Sequence, residues 1–165
     1  CGWPYRKAIT LNKTAVPMDL TNFPVLINYL DSNLQASAQA TGGDILFTSS
    51  DGLTKIPHQI ESFTKATGSL VSWVNVSALS SSTNTTIYMY YGNSICASQQ
   101  NATGVWDSHY VLVNHRKEPS GTQYDSTSNA NDGTPEGNVA QGVEGKVDGA
   151  DPFDGATARV AVPDG

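Results

Sequence analysis

The stretch Ser69–Gly92 (SLVSWVNVSALSSSTNTTIYMYYG) constrains the fold of this 165-residue chain more than any other part of it. It predicts a hairpin of two β-strands joined by a polar loop of Ser, Thr and Asn residues. One face of the first strand carries Leu70, Ser72, Val74 and Val76, and one face of the second carries Ile87, Met89 and Tyr91. This alternation of β-branched and aromatic residues is typical of strands that pack one face into a core.

Other segments before Gly92 show the same period of two. The predicted strands are Pro4–Leu11, Phe23–Tyr29, Asp44–Ser49 and Lys55–Phe63. One helix is predicted over Leu30–Thr41, with a cap at Asp31 or Ser32 and a stop at the following Gly pair. Short turns and little helix predict an all-β fold, an antiparallel β-sandwich with a jelly-roll-like number of strands.

The composition changes after Gly92. Residues 93–104 are polar and unpatterned, which indicates a connection to a second unit. Val105–His115 restarts strand alternation, a Gly- and Asn-rich region follows, and Arg159–Val162 predicts a last strand. We therefore expect a β-sandwich domain over residues 1–103 and part of a second β-sandwich over 104–165.

Composition indicates where such a protein works. Charged residues make up only 15% of the chain, and Ser, Thr, Asn and Gly are abundant, as in secreted all-β modules. The net charge of −6 argues against nucleic acid and anionic lipid as partners, because both require a basic surface. No apolar run reaches the roughly 20 residues of a membrane span. We expect an extracellular or cell-surface location.

Cys1 and Cys96 are the only cysteines. A disulfide between them suits an oxidising compartment, and a free thiol, a bridge between subunits or an acylated lipoprotein cysteine are the alternatives. Because the chain starts at Cys1 without a Met, we expect a processed or truncated product. Four glycosylation sequons begin at Asn12, Asn75, Asn84 and Asn101, and chance alone explains some of them in so Asn-rich a chain.

Several segments together resemble a family of bacterial and archaeal extracellular domains of unknown function. They are WPYRKAITL, NFPVLI, DILFTSSDGLTKIPHQIESF, LVSWVNV and TTIYMYYGN, and the resemblance covers Gly2–Thr103. In that family the domain commonly precedes a concanavalin A-like, laminin-G-type jelly roll. VWDSHYVLVNHRKEPSG, DSTSNANDGT and GKVDGADPFDGATARVAVPDG resemble the opening strands of such a jelly roll. The resemblance implies that residues 104–165 are its N-terminal portion.

The loop Asp125–Gly133 (DSTSNANDG) is the strongest candidate for an ion site. Calcium prefers several carboxylate, amide and backbone oxygens. The candidate ligands are Asp125, Asn129, Asn131, Asp132 and, from a later turn, Asp154. The alternative is a connection rich in Asx turns that binds no ion. No other cofactor is predicted, because the three histidines lie on separate segments without zinc-site spacing.

Aromatic residues on the predicted strands suggest a second kind of site. Trp73, Tyr88 and Tyr90 are candidates for a carbohydrate-binding face, since sugar rings stack on aromatic rings. On alternating strands such residues also serve core packing. Trp3 is interpreted as a core plug at the end of the sandwich rather than as a ligand platform.

No catalytic fingerprint is present, and we expect no enzyme activity. Two function classes remain. The first is a structural subunit of an extracellular filament or surface assembly, in which a strand of one copy completes a sheet of the next; Arg159–Val162 is the predicted exchange edge. The second is a carbohydrate-binding or adhesion module. The expected partners are therefore copies of the chain itself or an extracellular polysaccharide.

Overall fold

The computed structural model describes residues 2–163. The chain is nearly all β, with 38% strand and 6% helix, and its sheets are antiparallel, which confirms the predicted fold class. It divides into two compact units, Cys1–Val105 (unit 1) and Trp106–Gly165 (unit 2).

Unit 1 contains two antiparallel sheets. Its strands are β1 (Tyr5–Leu11), β2 (Leu20–Leu30), β3 (Leu46–Thr48), β4 (Lys55–Ile56), β5 (His58–Thr64), β6 (Ser69–Leu79) and β7 (Thr85–Tyr91). Sheet A has the order β1-β7-β3-β4, and sheet B has the order β2-β6-β5. The edge strands β1 and β2 therefore follow each other in the chain but belong to different sheets.

Two predicted connections prove different in the structure. The strands of Ser69–Gly92 do not form a hairpin, because β6 lies in sheet B and β7 in sheet A. The predicted strand Lys55–Phe63 is split at Pro57: β4 pairs with β3, whereas β5 pairs with β6. Proline has no N–H to donate and cannot continue a ladder, so the chain changes sheets there.

The predicted helix exists but is short, spanning Ser32–Ser37 as α1. Asp31 caps it, and its carboxylate accepts the Asn33 N–H at 2.8 Å. Beyond its end the Gln39 N–H donates to the Asp44 carboxylate at 2.7 Å instead of continuing the helical ladder. This competing acceptor explains why the helix does not reach Thr41.

The core of unit 1 lies between the two sheets. It includes Ile9, Ile27, Phe47, Leu70, Val74, Val76, Ile87, Met89 and Tyr91. The faces predicted for the two long strands are confirmed, because Leu70, Val74 and Val76 and the inner face of β7 are all buried. Each fully buried large apolar side chain contributes about 1.5–3 kcal/mol, so this alternation fixes the register of both sheets.

Unit 2 consists mostly of turns. Its strands are β8 (Thr134–Glu136), β9 (Val143–Glu144), β10 (Gly149–Ala150) and β11 (Arg159–Ala161). β8 pairs with β11, and β9 pairs with β10. The predicted last strand is thus present, one residue shorter than expected. The buried side chain of Asp151 contacts both Arg116 and Gln123 and ties the unit together.

The prediction of a strand over Val105–His115 is wrong. Within it the structure has turns and one isolated bridge, from Asn114 to Asp125. The Asn129 side chain donates to the carbonyls of Tyr110 and Val111 at 3.1 and 3.0 Å. Side-chain amides thus occupy acceptors that a neighbouring strand would use, which the pattern of apolar residues alone does not reveal.

His58 is a polar residue in the core of unit 1. Its ring is fully buried, packs edge-on against Phe47 with centroids 5.3 Å apart, and has no geometrically normal hydrogen bond within residues 2–163. Burial, together with the positive charge of Lys55 and against the opposing effect of the Ile45 backbone, lowers the pKa of His58 to about 4. The imidazole is therefore neutral in the folded protein at neutral pH.

We predict that His58 makes unit 1 acid-labile. In the unfolded chain the imidazole binds its proton below the ordinary pKa of 6.5, and in the folded chain only below about 4. The unfolded state therefore binds more protons as pH falls from 6.5 to 4, and about 3 kcal/mol of stability is lost across this window. Denaturant unfolding at several pH values measures this loss.

The variant His58→Leu removes the titrating group and should flatten the slope of stability against pH in this window. His109→Gln is the matched control, because the His109 side chain is 88% exposed and its loss should leave the slope unchanged. Equal slopes for the wild-type protein and His58→Leu would contradict this account of the buried ring.

Candidate functional site

The outer face of sheet A carries the aromatic residues that the sequence singled out on β7. Tyr88 pairs with Thr48 and Tyr90 pairs with Leu46 across the ladder from β7 to β3, and both tyrosines are half-buried. Trp73 lies on β6 of the other sheet, where its indole N–H donates to a Glu61 carboxylate oxygen at 2.9 Å. The structure therefore brings together two of the three predicted carbohydrate-binding residues and leaves Trp73 apart.

Arg6 of β1 organises this face. Its guanidinium carbon lies 4.4 Å from the centroid of the Tyr88 ring and 6.0 Å from that of Tyr90. It also donates a long hydrogen bond of 3.5 Å to the Tyr90 hydroxyl, which raises the pKa of Arg6. The cation–π contacts hold both rings in place and keep a permanent positive charge beside them.

A groove on this face, here called the outer-face groove, has a volume of about 320 Å³. It is lined by Trp3, Leu46, Thr48, Gly52, Leu53, Lys55, Tyr90 and Gln99. Sequence reasoning missed most of this set, because its members come from four separate segments. Trp3 is half-buried and lines this groove, so the interpretation of Trp3 as a core plug is only partly right.

The turn after β3 forms one side of the outer-face groove and is held by Asp51. One Asp51 oxygen accepts the N–H groups of Leu53 and Thr54 at 2.8 and 2.9 Å, and the other accepts the Thr54 hydroxyl at 2.6 Å. These hydrogen bonds, led by the Thr54 hydroxyl, hold the pKa of Asp51 far below its usual range. The carboxylate fixes the turn, and Gly52 adopts the positive φ of 72° that the turn requires.

A second groove, here called the edge groove, opens beside the edge strands β1 and β2. Its volume is about 500 Å³. It is lined by Thr10, Leu11, Asn12, Ala15, Val16, Pro17, Leu20, Phe23, Val25 and Leu79. The lining is almost entirely apolar, and Phe23 remains 42% exposed. No pattern in the sequence distinguishes these residues from ordinary core positions.

An ion pair links β1 to the residue that follows β2. The Lys7 ammonium contacts the Asp31 carboxylate and lies 5.5 Å from the centroid of the Tyr29 ring. The hydrogen bond to Asp31 raises the pKa of Lys7. Burial by itself would raise the pKa of Asp31, but the hydrogen bonds from Lys7 and Asn33 outweigh it and hold the pKa of that carboxyl below its usual value. This pair ties the two edge strands together at the C-terminal end of β2, whereas Leu20 and Phe23 lie near its N-terminal end.

The predicted calcium loop in unit 2 is built around Asp125. One Asp125 oxygen accepts the N–H groups of Val113 and Thr127, each at 2.9 Å. The other accepts the Thr127 hydroxyl at 2.6 Å and the Asn131 N–H at 3.0 Å. Burial by itself would raise the pKa of Asp125, but these hydrogen bonds together outweigh it and lower the pKa. The carboxylate therefore acts as the hub of an Asx-turn network.

The other predicted calcium ligands have their own partners. Asp132 accepts the Asp125 N–H at 2.8 Å, and the side chains of Asn129 and Asn131 both donate to the Val111 carbonyl. Asp154 caps its own turn by accepting three backbone N–H groups, all at 2.9 Å. Among the described residues, no group of three or more His, Cys, Asp or Glu is arranged to hold a metal. Calcium binding here stays a prediction.

The sequon asparagines differ in accessibility. Asn12, Asn84 and Asn101 are exposed. Asn75 is only 9% exposed, and its side-chain nitrogen donates to the carbonyls of Gly104 and Val105 at 3.2 and 3.1 Å. A glycan at Asn75 would have to displace both bonds.

Cys96 is half-buried, and burial raises the pKa of its thiol. Its Sγ donates to the Asn93 carbonyl at 3.4 Å. The predicted Cys1–Cys96 disulfide involves a residue outside the described range, so that pairing stays a prediction.

The described residues thus form an antiparallel β-sandwich, which carries the outer-face groove and the edge groove, and a turn-rich second unit. A family model described as a domain of unknown function (DUF2341) matches residues 41–133, more than half of the chain. The chain belongs to this family. The match begins later and extends further than the resemblance to Gly2–Thr103 suggested. No curated protein and no solved structure matches the chain.

We predict that the Asp125 side chain must present two hydrogen-bond acceptors for unit 2 to keep its full stability. Asp125→Asn would place an amide N–H₂ against the Thr127 hydroxyl or against backbone N–H groups, and it should lower the unfolding free energy of unit 2 by roughly 1–2 kcal/mol. Asp132→Asn is the matched control, because Asp132 accepts the Asp125 N–H, a hydrogen bond that an amide oxygen can also accept. Thermal unfolding measures both; equal effects of the two substitutions would contradict the hub role of Asp125.

Proposed function

We propose that this protein is a non-catalytic structural subunit of an extracellular filament or surface assembly. In this proposal an extended segment of a second copy lies along β1 and places its apolar side chains in the edge groove. The bacterial or archaeal origin, the extracellular location and the concanavalin A-like character of unit 2 are parts of the same proposal, and they rest on the sequence resemblance.

The edge groove is the observation that carries the proposal. β1 and β2 are each the outermost strand of their sheet, so each has one side without a ladder partner in unit 1. The groove beside them exposes apolar surface, including Phe23 at 42%. An unpaired edge next to an apolar groove offers main-chain hydrogen bonds for affinity and a pocket for alternate side chains, which are the two elements of strand addition.

β1 is the better acceptor of the two edges. β2 contains Pro24, which has no N–H, and Asn22, whose φ of 49° interrupts the extended backbone. Such features weaken an edge for pairing. β1 contains neither, and its inward residues Ile9 and Leu11 lead toward the groove. An added strand would therefore extend sheet A.

The segment 110–113 (YVLV) of unit 2 is the donor in this proposal, and it must first release the hydrogen bonds that Asn129, Asn131 and Asp125 make to its backbone. Val111 is 69% exposed and Leu112 is 36% exposed, and neither belongs to a strand. The residues are β-branched, aromatic or aliphatic, which suits an extended strand. The sequence-predicted exchange edge is less suitable, because Arg159–Ala161 already pairs with β8 and Arg159 forms an ion pair with Glu136.

A complementation experiment tests this proposal. Phe23→Lys disables the acceptor groove, and Val111→Lys disables the donor, each by placing a charge on apolar surface. We expect the wild-type protein to form concentration-dependent polymers in light scattering. Either variant alone should remain monomeric, with at least a tenfold weaker association. An equimolar mixture should form dimers, because one intact groove and one intact donor remain.

Ile95→Lys is the matched control, since Ile95 is 80% exposed and belongs to neither surface. It should assemble like the wild-type protein. A wild-type chain that stays monomeric at every concentration would overturn the proposal. So would polymers of Phe23→Lys, or a mixture that gives only monomers.

A further inference from the structure

The outer-face groove lies on a different surface of unit 1 from the edge groove and has a different chemistry. We infer that it binds an acidic polysaccharide, one whose pyranose units carry carboxylates. The inference rests on the aromatic walls of the groove, on its charge and on its exposed rim. It does not depend on whether the chain assembles.

Two aromatic residues line the groove with their polar atoms already in use. The Trp3 indole N–H donates to the Asp44 carbonyl at 2.6 Å, and the Tyr90 hydroxyl donates to the Gly52 carbonyl at 2.8 Å. Both rings are therefore fixed, and what they offer to the groove is apolar ring surface. The C–H face of a pyranose packs on such surfaces, and fixed rings lose little entropy when a ligand binds.

The charge of the groove is positive, although the whole chain carries −6. None of its eight lining residues is a carboxylate, and Lys55 is one of them. The Lys55 ammonium donates to the Gln99 side-chain oxygen at 3.0 Å, so it retains donors for a ligand. Arg6 lies at the same end as Gly52 and Tyr90. The neighbouring Asp51 carboxylate keeps its negative charge, but its oxygens face the N–H groups and the hydroxyl of its own turn.

These features together favour an anionic sugar. A neutral sugar would use the rings and could accept a hydrogen bond from the ammonium group but would gain no charge attraction, and a simple anion would use the ammonium group but not the rings. A volume of about 320 Å³ suits a short stretch of a polysaccharide chain, near the lower end of ligand sites in general. Leu53, which is 85% exposed, extends the apolar surface at the rim.

The test compares polygalacturonate with dextran as a neutral polysaccharide, by isothermal titration calorimetry on the Phe23→Lys variant. That variant has an intact outer-face groove and should be monomeric, so the result is independent of assembly. We expect binding to polygalacturonate that weakens as salt is added, and at least tenfold weaker binding to dextran. Trp3→Ala should reduce binding to polygalacturonate at least tenfold.

Lys55→Gln should reduce polygalacturonate binding several-fold and should flatten its salt dependence. Lys146→Gln is the matched control: it removes the same charge from an exposed position in unit 2 and should leave binding unchanged. Leu53→Asp is a second groove variant that cannot unfold the core, because the side chain is almost fully exposed. It should weaken binding by bringing a negative charge to the rim.

Results of three kinds would overturn the inference. The first is no binding to polygalacturonate at low salt. The second is equal binding of dextran, which would remove the role of Lys55. The third is equal loss in Lys55→Gln and Lys146→Gln, or full binding by Leu53→Asp, which would indicate attraction to the protein as a whole rather than to this groove.

Discussion

The burial of one apolar core between two sheets is the constraint on which the rest of unit 1 depends. The core takes apolar side chains from both sheets, and the chain crosses from one sheet to the other between β1 and β2, at Pro57, and between β6 and β7. These crossings leave β1 and β2 as outer edges of different sheets. The edge groove is thus a consequence of the topology that builds the core.

The same sheet serves two surfaces with different chemistry. Along β7, Ile87, Met89 and Tyr91 point into the core, whereas Tyr88 and Tyr90 point out beneath Arg6. The period of two that stabilises the sandwich therefore also places the aromatic side chains on the outer face. The proposed assembly contact at the β1 edge and the proposed sugar site on the outer face are lined by different residues, so in this proposal one subunit serves both.

Sequence patterns predicted what depends on neighbours along the chain: the all-β class, the inner faces of β6 and β7, and the capped start of α1. They failed where polar side chains distant in sequence bond the backbone groups that a helix or a sheet would otherwise use. The helix ends early because the Asp44 carboxylate accepts the Gln39 N–H, and residues 110–113 form no strand because asparagine side chains bond the carbonyls of Tyr110 and Val111. The outer-face groove was missed because Trp3, Lys55 and Gln99 meet only through folding.

Hydrogen exchange of the β1 amides, followed as the protein concentration is raised, tests the central claim most directly. If a strand of a second copy pairs with β1, the amides that face away from β7 should gain protection as assemblies form, while those of the interior strand β6 stay unchanged. Assemblies that form without added protection in β1 would contradict strand addition and would place the contact between subunits elsewhere.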